Sequence, residues 1–177
     1  MLPIGLNHMT VSRAPAHVLL DVAKDLGCVG VELRNDLAAP LFDGQAPDAF
    51  KETMRAHGLR LLALAEVKAF NRAPAENIET ATDLIATAAA AGAEGVALIP
   101  WVDTQEVSRD VQRKALREAL DVLQPVLQSH GVRGYIEALG FNVSSLRYKE
   151  DIVAELDLRG RPDCFALIHD TFHHHLA

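Results

Sequence analysis

The sequence predicts an α/β fold built on a parallel sheet, and three observations carry that prediction. Short apolar runs alternate with longer amphipathic stretches from one end of the chain to the other, the order expected of repeated strand–helix units. Several of the short runs are dense in Val, Ile and Leu, as strands covered on both faces are. Glycines 27, 58, 92 and 131 each follow an amphipathic stretch, where a residue without a Cβ closes the last helical turn. No composition break interrupts the pattern, so residues 1–177 read as one domain.

In chain order the strands are expected at residues 3–8, 29–34, 59–65, 95–99, 132–138 and 164–170. Helices are expected between them at 16–26, 47–57, 75–91, 107–130 and, with a weaker pattern, 146–156. Pro15, Pro47 and Pro74 stand near helix starts, where a missing N–H costs little. Pro125 falls inside the fourth helix and is expected to kink it.

The strand starts lie about 26, 30, 36, 37 and 32 residues apart, the period of βα units. An open doubly wound sheet and a closed (β/α)8 TIM barrel share that period. Asn7-His8-Met9-Thr10-Val11-Ser12 replaces the glycine-rich dinucleotide fingerprint after the first strand, which weakens the open-sheet reading. Eight units at this period need roughly 255 residues. The expectation is therefore a TIM barrel of which about the first six βα units are present, cut after strand six.

In such folds function collects where strands end and βα loops begin. Here the strand ends carry Asn7-His8, Glu32-Leu33-Arg34, Glu66, Asn71, Trp101, Glu137 and His169-Asp170-Thr171-Phe172-His173. Alternate strand residues share a face, so Tyr135 and Glu137 point one way, and Ala166, Ile168 and Asp170 share another such set. If Glu137 and Asp170 both point into the barrel mouth, two carboxylates converge and must share a proton, bind a cation or repel. Oxygen donors beside imidazole suit one divalent ion such as Mn2+, Mg2+, Co2+ or Zn2+. Plainer readings stand beside this one. A strand-end carboxylate also serves as a helix cap or surface ion pair, and Asp170 before Thr171 fits a cap. His8 fits a satisfied interior histidine, Trp101 and Phe70 fit either core or pocket wall, and His173-His174-His175, followed by Leu176-Ala177, makes a poor tag remnant.

Composition narrows the function classes. Lys+Arg numbers 17 against 24 Asp+Glu, a formal charge of −7, which disfavours nucleic acid as a partner. No apolar run reaches the roughly 18 residues of a membrane span, and no secretory signal pattern opens the chain. The expectation is a soluble cytoplasmic protein. Its two cysteines, Cys28 and Cys164, are read as buried thiols.

Taken together, Asn7-His8, Val31-Glu32-Leu33-Arg34, Phe70-Asn71, Ile136-Glu137 and the run from His169 to His175 give the chain a family likeness. It resembles the xylose isomerase-like TIM barrels, and within them the sugar phosphate isomerase/epimerase group that includes 2-keto-myo-inositol isomerase. The resemblance implies one divalent metal held by a Glu on strand five, an Asp on strand six, a His on strand seven and a Glu on strand eight. Glu137 matches the first and Asp170 the second; no residue here matches the other two. It further implies that His173 contacts substrate and that Glu32, Glu66 and Asn71 line the pocket, with His8 and Trp101 as further candidates. The implied reaction is proton transfer on a keto sugar or keto-inositol through an enediolate, with Glu137 as one acid–base group, and related barrels pair into homodimers. Two alternatives stay open: a non-catalytic or truncated barrel acting as a binding module, and an endonuclease IV-like phosphodiesterase. The acidic balance and the lack of histidine at the third and fourth strand ends oppose the latter.

Overall fold

A computed structural model describes residues 2–177. Its strands are β1 (Gly5–Asn7), β2 (Gly30–Arg34), β3 (Arg60–Lys68), β4 (Gly95–Ile99), β5 (Arg133–Glu137) and β6 (Phe165–Ile168). The helices are α1 (Ala16–Asp25), α2 (Pro47–His57), α3 (Ile78–Ala90), α4 (Arg109–His130), α5 (Lys149–Leu158) and α6 (Thr171–Leu176), with 3-10 turns at His8–Val11 and Leu41–Gly44. The six strands form one sheet in the order β1-β2-β3-β4-β5-β6, and every pair is parallel.

That order decides the architecture. A doubly wound sheet reverses direction at a switch point, whereas this one never does. Right-handed crossovers repeated in a single direction put every helix on the same face of the sheet, which is the winding of a TIM barrel with six of its units present. Burial agrees: Gly134 and Ile136 of β5 are buried beneath the helices, while Tyr135 and Glu137 on the other face are only half-buried. The core is the layer between sheet and helices. In α4, Leu116, Leu120, Leu123 and Leu127 recur at helical spacing and are almost completely buried. Truncating such a leucine to alanine typically costs about 2–5 kcal/mol. α4 runs unbroken through Pro125, whose exposed position leaves the carbonyl one turn back open to water.

Other elements depart from the apolar pattern for local reasons. β3 ends three residues later than expected, because a register shift after Leu64 lets Val67 and Lys68 pair with Leu98 and Ile99. α3 starts at Ile78 rather than near 75, since residues 73–77 form a turn in which Asn77 Nδ2 donates to the Arg72 carbonyl at 2.8 Å. α5 starts at Lys149 because Leu146 packs in the preceding loop, fully buried. It is fastened to α4 through charge: Asp151, 1% exposed, accepts from Arg109 and Arg113, and Glu155 pairs with Arg117. α1 lacks a cap of its own at Pro15. Asp43, in the left-handed region at φ 55°, supplies it from the second 3-10 turn, accepting from the Ala16 and His17 amides at 2.6 and 2.9 Å. No helix among the described residues is long and apolar enough to cross a membrane.

Candidate metal centre

β5 ends at Glu137 and β6 at Ile168, and the chain then turns at Asp170 into α6. Parallel pairing sets Glu137 opposite Ile168, so Asp170, two residues on, emerges on the same face. Asp170 caps α6, its Oδ1 accepting the His173 amide at 2.8 Å. The cap reading and the cluster reading thus hold at once, because the capping turn carries the His173 side chain back over the sheet. Glu137, Asp170 and His173 each present one donor atom, and these lie within 4.8 Å of one another. His173 Nε2 is 3.9 Å from Glu137 Oε1, with the two side chains 13% and 16% exposed. His173 is wedged edge-on against Phe141 and Phe172 at ring distances of 5.0 and 5.2 Å, and its Nδ1 is buried without a partner.

The electrostatics are one-sided. Glu137 has its pKa pushed up to about 7, first by burial and then by the negative charges of Asp170, Glu32 and Glu66, with Lys149 alone opposing. Glu32 is also raised, chiefly by burial, against the pull of Arg34 and of the hydrogen bond from Asn7. That bond runs from Asn7 Nδ2 to Glu32 Oε1 at 2.7 Å. Glu66 receives Arg34 Nη2 at 3.3 Å, but the same guanidinium is engaged by Asp36 at 2.6 and 2.7 Å. Carboxylates from β2, β3, β5 and the β6–α6 turn therefore face one another with too little positive charge among them. Two carboxylates, an imidazole and unbalanced negative charge form a donor set that fits a divalent cation.

The other sequence-predicted residues are placed elsewhere. His8 begins the first 3-10 turn, is 4% exposed, and its Nε2 lies 3.0 Å from the Ala14 carbonyl. Asn71 is 2% exposed; its Oδ1 accepts from Ser145 Oγ and the Trp101 amide at 3.0 and 3.2 Å. Its Nδ2 donates to the Ser145 carbonyl at 3.4 Å. Asn71 is thus a clasp joining three βα loops, its polar atoms used within the protein. Trp101 belongs to the same clasp, with Arg72 stacked over its ring at 5.8 Å. Of the predicted site residues only Glu66 lines a cavity of about 670 Å3 beside the ends of β2 and β3, whose wall is otherwise largely apolar and includes Phe70 and Leu84. Glu137, Asp170 and His173 do not line that cavity.

Sequence reasoning missed Lys149, Asn35 and Phe141. Lys149 Nζ donates to the Asp170 carbonyl at 2.7 Å and its charge acts on Glu137. A signal for it existed, since a lysine in the first turn of a helix opposes the helix dipole and asks for another reason to be there. Asn35 holds the Glu66 backbone from both sides, at 2.8 and 3.2 Å; nothing in the sequence marks that contact.

A family profile described as xylose isomerase-like TIM barrel matches residues 20–177. Among solved structures, a xylose isomerase domain containing protein from Salmonella typhimurium LT2 is 27% identical, with a TM-score of 0.87 over 97% of this chain and 61% of its own. The IolI protein, solved with a bound zinc atom, is 21% identical, with a TM-score of 0.81 over 98% of this chain and 64% of its own. An L-ribulose 3-epimerase is 22% identical, with a TM-score of 0.74 over 99% and 63%. The chain thus spans less than two thirds of the length of these relatives. No curated protein sequence matches it.

Proposed function

The chain belongs to the xylose isomerase-like TIM barrels, and from that premise we propose that it carries part of the active site of a metal-dependent isomerase or epimerase of small keto sugars or cyclitols. The observation that carries the proposal is the convergence of Glu137, Asp170 and His173 within 4.8 Å, beside the further negative charges of Glu32 and Glu66. Residues 1–177 serve as one domain in this reading. Relatives that bear the names of sugar epimerases, and one solved with zinc, share the fold, which supports the choice of reaction and cofactor.

Glu137 and Asp170 would hold the cation through carboxylate oxygens and His173 through an imidazole nitrogen; a full set needs further donors, as the resemblance to the family implies. When bound, a divalent ion supplies Lewis acidity toward an α-hydroxy carbonyl and lowers the barrier to removing the adjacent proton. Glu137 would take that proton; burial and its acidic neighbours raise its pKa to about 7 in the metal-free protein, and a cation beside it offsets that rise and keeps the carboxylate ionised. Lys149 favours the ionised form of Glu137 and steadies the Asp170 turn through its carbonyl. Phe141 and Phe172, packed against His173, fix the ring plane and keep water from that side. Glu32 and Glu66, held by Asn7 and Arg34, would bind substrate hydroxyls.

The test is metal content and metal titration of the full-length protein beside Glu137→Gln and Asp170→Asn. Each variant should lose at least about tenfold in affinity, and the wild type should exchange solvent deuterium into a keto sugar or keto-inositol. Unchanged affinity in both variants overturns the proposal.

A further inference from the structure

The cavity of about 670 Å3 beside the ends of β2 and β3 is walled by none of the three donors of the metal centre. Its walls come only from residues between Asn35 and Leu123, and β2 and β3 each have a neighbour on both sides in the sheet. Interior units of the barrel therefore shape it, and neither end of the chain does. Close-packed proteins leave few voids larger than a water molecule. A space of this volume falls instead among small-molecule sites, which measure roughly 300–1,000 Å3 and combine an apolar lining with a few placed polar groups.

That combination is present here. Leu41, Val67, Phe70, Leu84 and Leu123 give the apolar part of the wall. α3 adds Thr80, Asp83 and Thr87 at helical spacing, with Asn77 just before its first turn. Much of the donor capacity of this polar edge is already committed. Thr87 Oγ donates to the Asp83 carbonyl at 2.8 Å, and Asn77 Nδ2 donates to the Arg72 carbonyl at 2.8 Å. What these two side chains chiefly offer a ligand is acceptor oxygens.

Charge on the α3 side has one sign. From residue 73 to residue 108 the chain holds six carboxylates and no Lys, Arg or His. Of the wall's own carboxylates, Asp36 and Glu66 share the Arg34 guanidinium, whereas Asp83 is exposed and forms no ion pair among the described residues. The one ammonium in the wall is Lys68, whose charge acts on Asp36. An apolar lining beside acceptor oxygens and an unmatched carboxylate suits a ligand that brings N–H donors and positive charge on an apolar body.

We propose that this cavity binds a small organic ammonium ion, with its apolar body against Leu41, Phe70 and Leu84 and its N–H groups on Asp83 and the neighbouring acceptors of α3. The site is additional to the isomerase reading and stands whether or not Glu137 and Asp170 hold a metal.

The test is calorimetric binding of three probes of one shape to the full-length protein, at neutral pH and low ionic strength with a chelator present: 2-naphthylmethylammonium, 2-naphthylmethanol and 2-naphthoate. The ammonium is expected to bind saturably, one per chain, at millimolar concentration or below. The alcohol should bind about tenfold more weakly, the worth of a charge-assisted hydrogen bond, and the carboxylate more weakly still. Asp83→Asn, an exposed change, should bring the ammonium down to the affinity of the alcohol and leave the alcohol unmoved. Leu84→Trp, which fills the cavity, should abolish binding of both; where that variant fails to fold, Asp83→Asn still decides. No saturable binding of the ammonium, an alcohol or carboxylate that binds as tightly, or ammonium binding indifferent to Asp83→Asn overturns the proposal. Because metal is withheld, failure of the metal centre leaves this result unchanged.

Discussion

Glu137 is pulled between two partners, a proton and a cation, and its titration shows which one holds it. In the folded, metal-free protein its pKa stands at about 7 against an ordinary 4.5. Between those values the folded form keeps a proton that the unfolded chain has released, so stability falls as pH rises through that window. The side chain is 16% exposed, and the full shift corresponds to about 3 kcal/mol at most. Denaturant midpoints of the metal-free protein should therefore drop between pH 4.5 and 7, and Glu137→Gln should flatten that slope. Divalent ion added at pH 8 should restore the midpoint, and its affinity should rise with pH up to about 7 and then level, because binding expels the proton. A midpoint that rises with pH across the window would contradict the burial and charge crowding described for this residue.

At the scale of elements, the position of His173 depends on how α6 docks. The loop after β5 passes so close to the His173 carbonyl and Leu176 that a Cβ on Gly140 would collide with both. Gly140→Ala should displace α6, loosen His173 and reduce metal affinity about tenfold, measured against unchanged circular dichroism of the remaining helices. Asp43→Ala should cost about 1–2 kcal/mol by removing the cap of α1, read as a lower thermal midpoint. Much of this layout was legible beforehand. α2 and β4 fall at the expected residues because Pro47 and Gly58, and the run Gly95–Ile99, mark both ends unambiguously. α5 was misplaced because arginine–carboxylate pairs, rather than an apolar stripe, bind it to α4. Glu137 and Asp170 could be found from strand ends and alternation. Asn71 and His8 could not be separated from pocket residues, because their partners Ser145 and Ala14 sit in loops that follow no period.

For the molecule as a whole, β1 and β6 each have one neighbour in the sheet, so each leaves a row of backbone groups open for pairing. Exposed apolar side chains flank both edges: Leu2 and Ile4 at one, Phe172 at the other, at 86%, 63% and 60%. Residues 1–177 produced by themselves should associate with rising concentration, and light scattering checks this; a strictly monomeric product would show that these edges are blunted. The nose-to-tail winding has a kinetic counterpart. Every strand seeks a partner only one crossover away, so each unit can add to the preceding one as a zipper closes, without waiting for distant parts of the chain. Amide protons should then be slowest to exchange in the middle strands β3 and β4, where Leu64 and Leu98 are wholly enclosed, and progressively faster toward both rims.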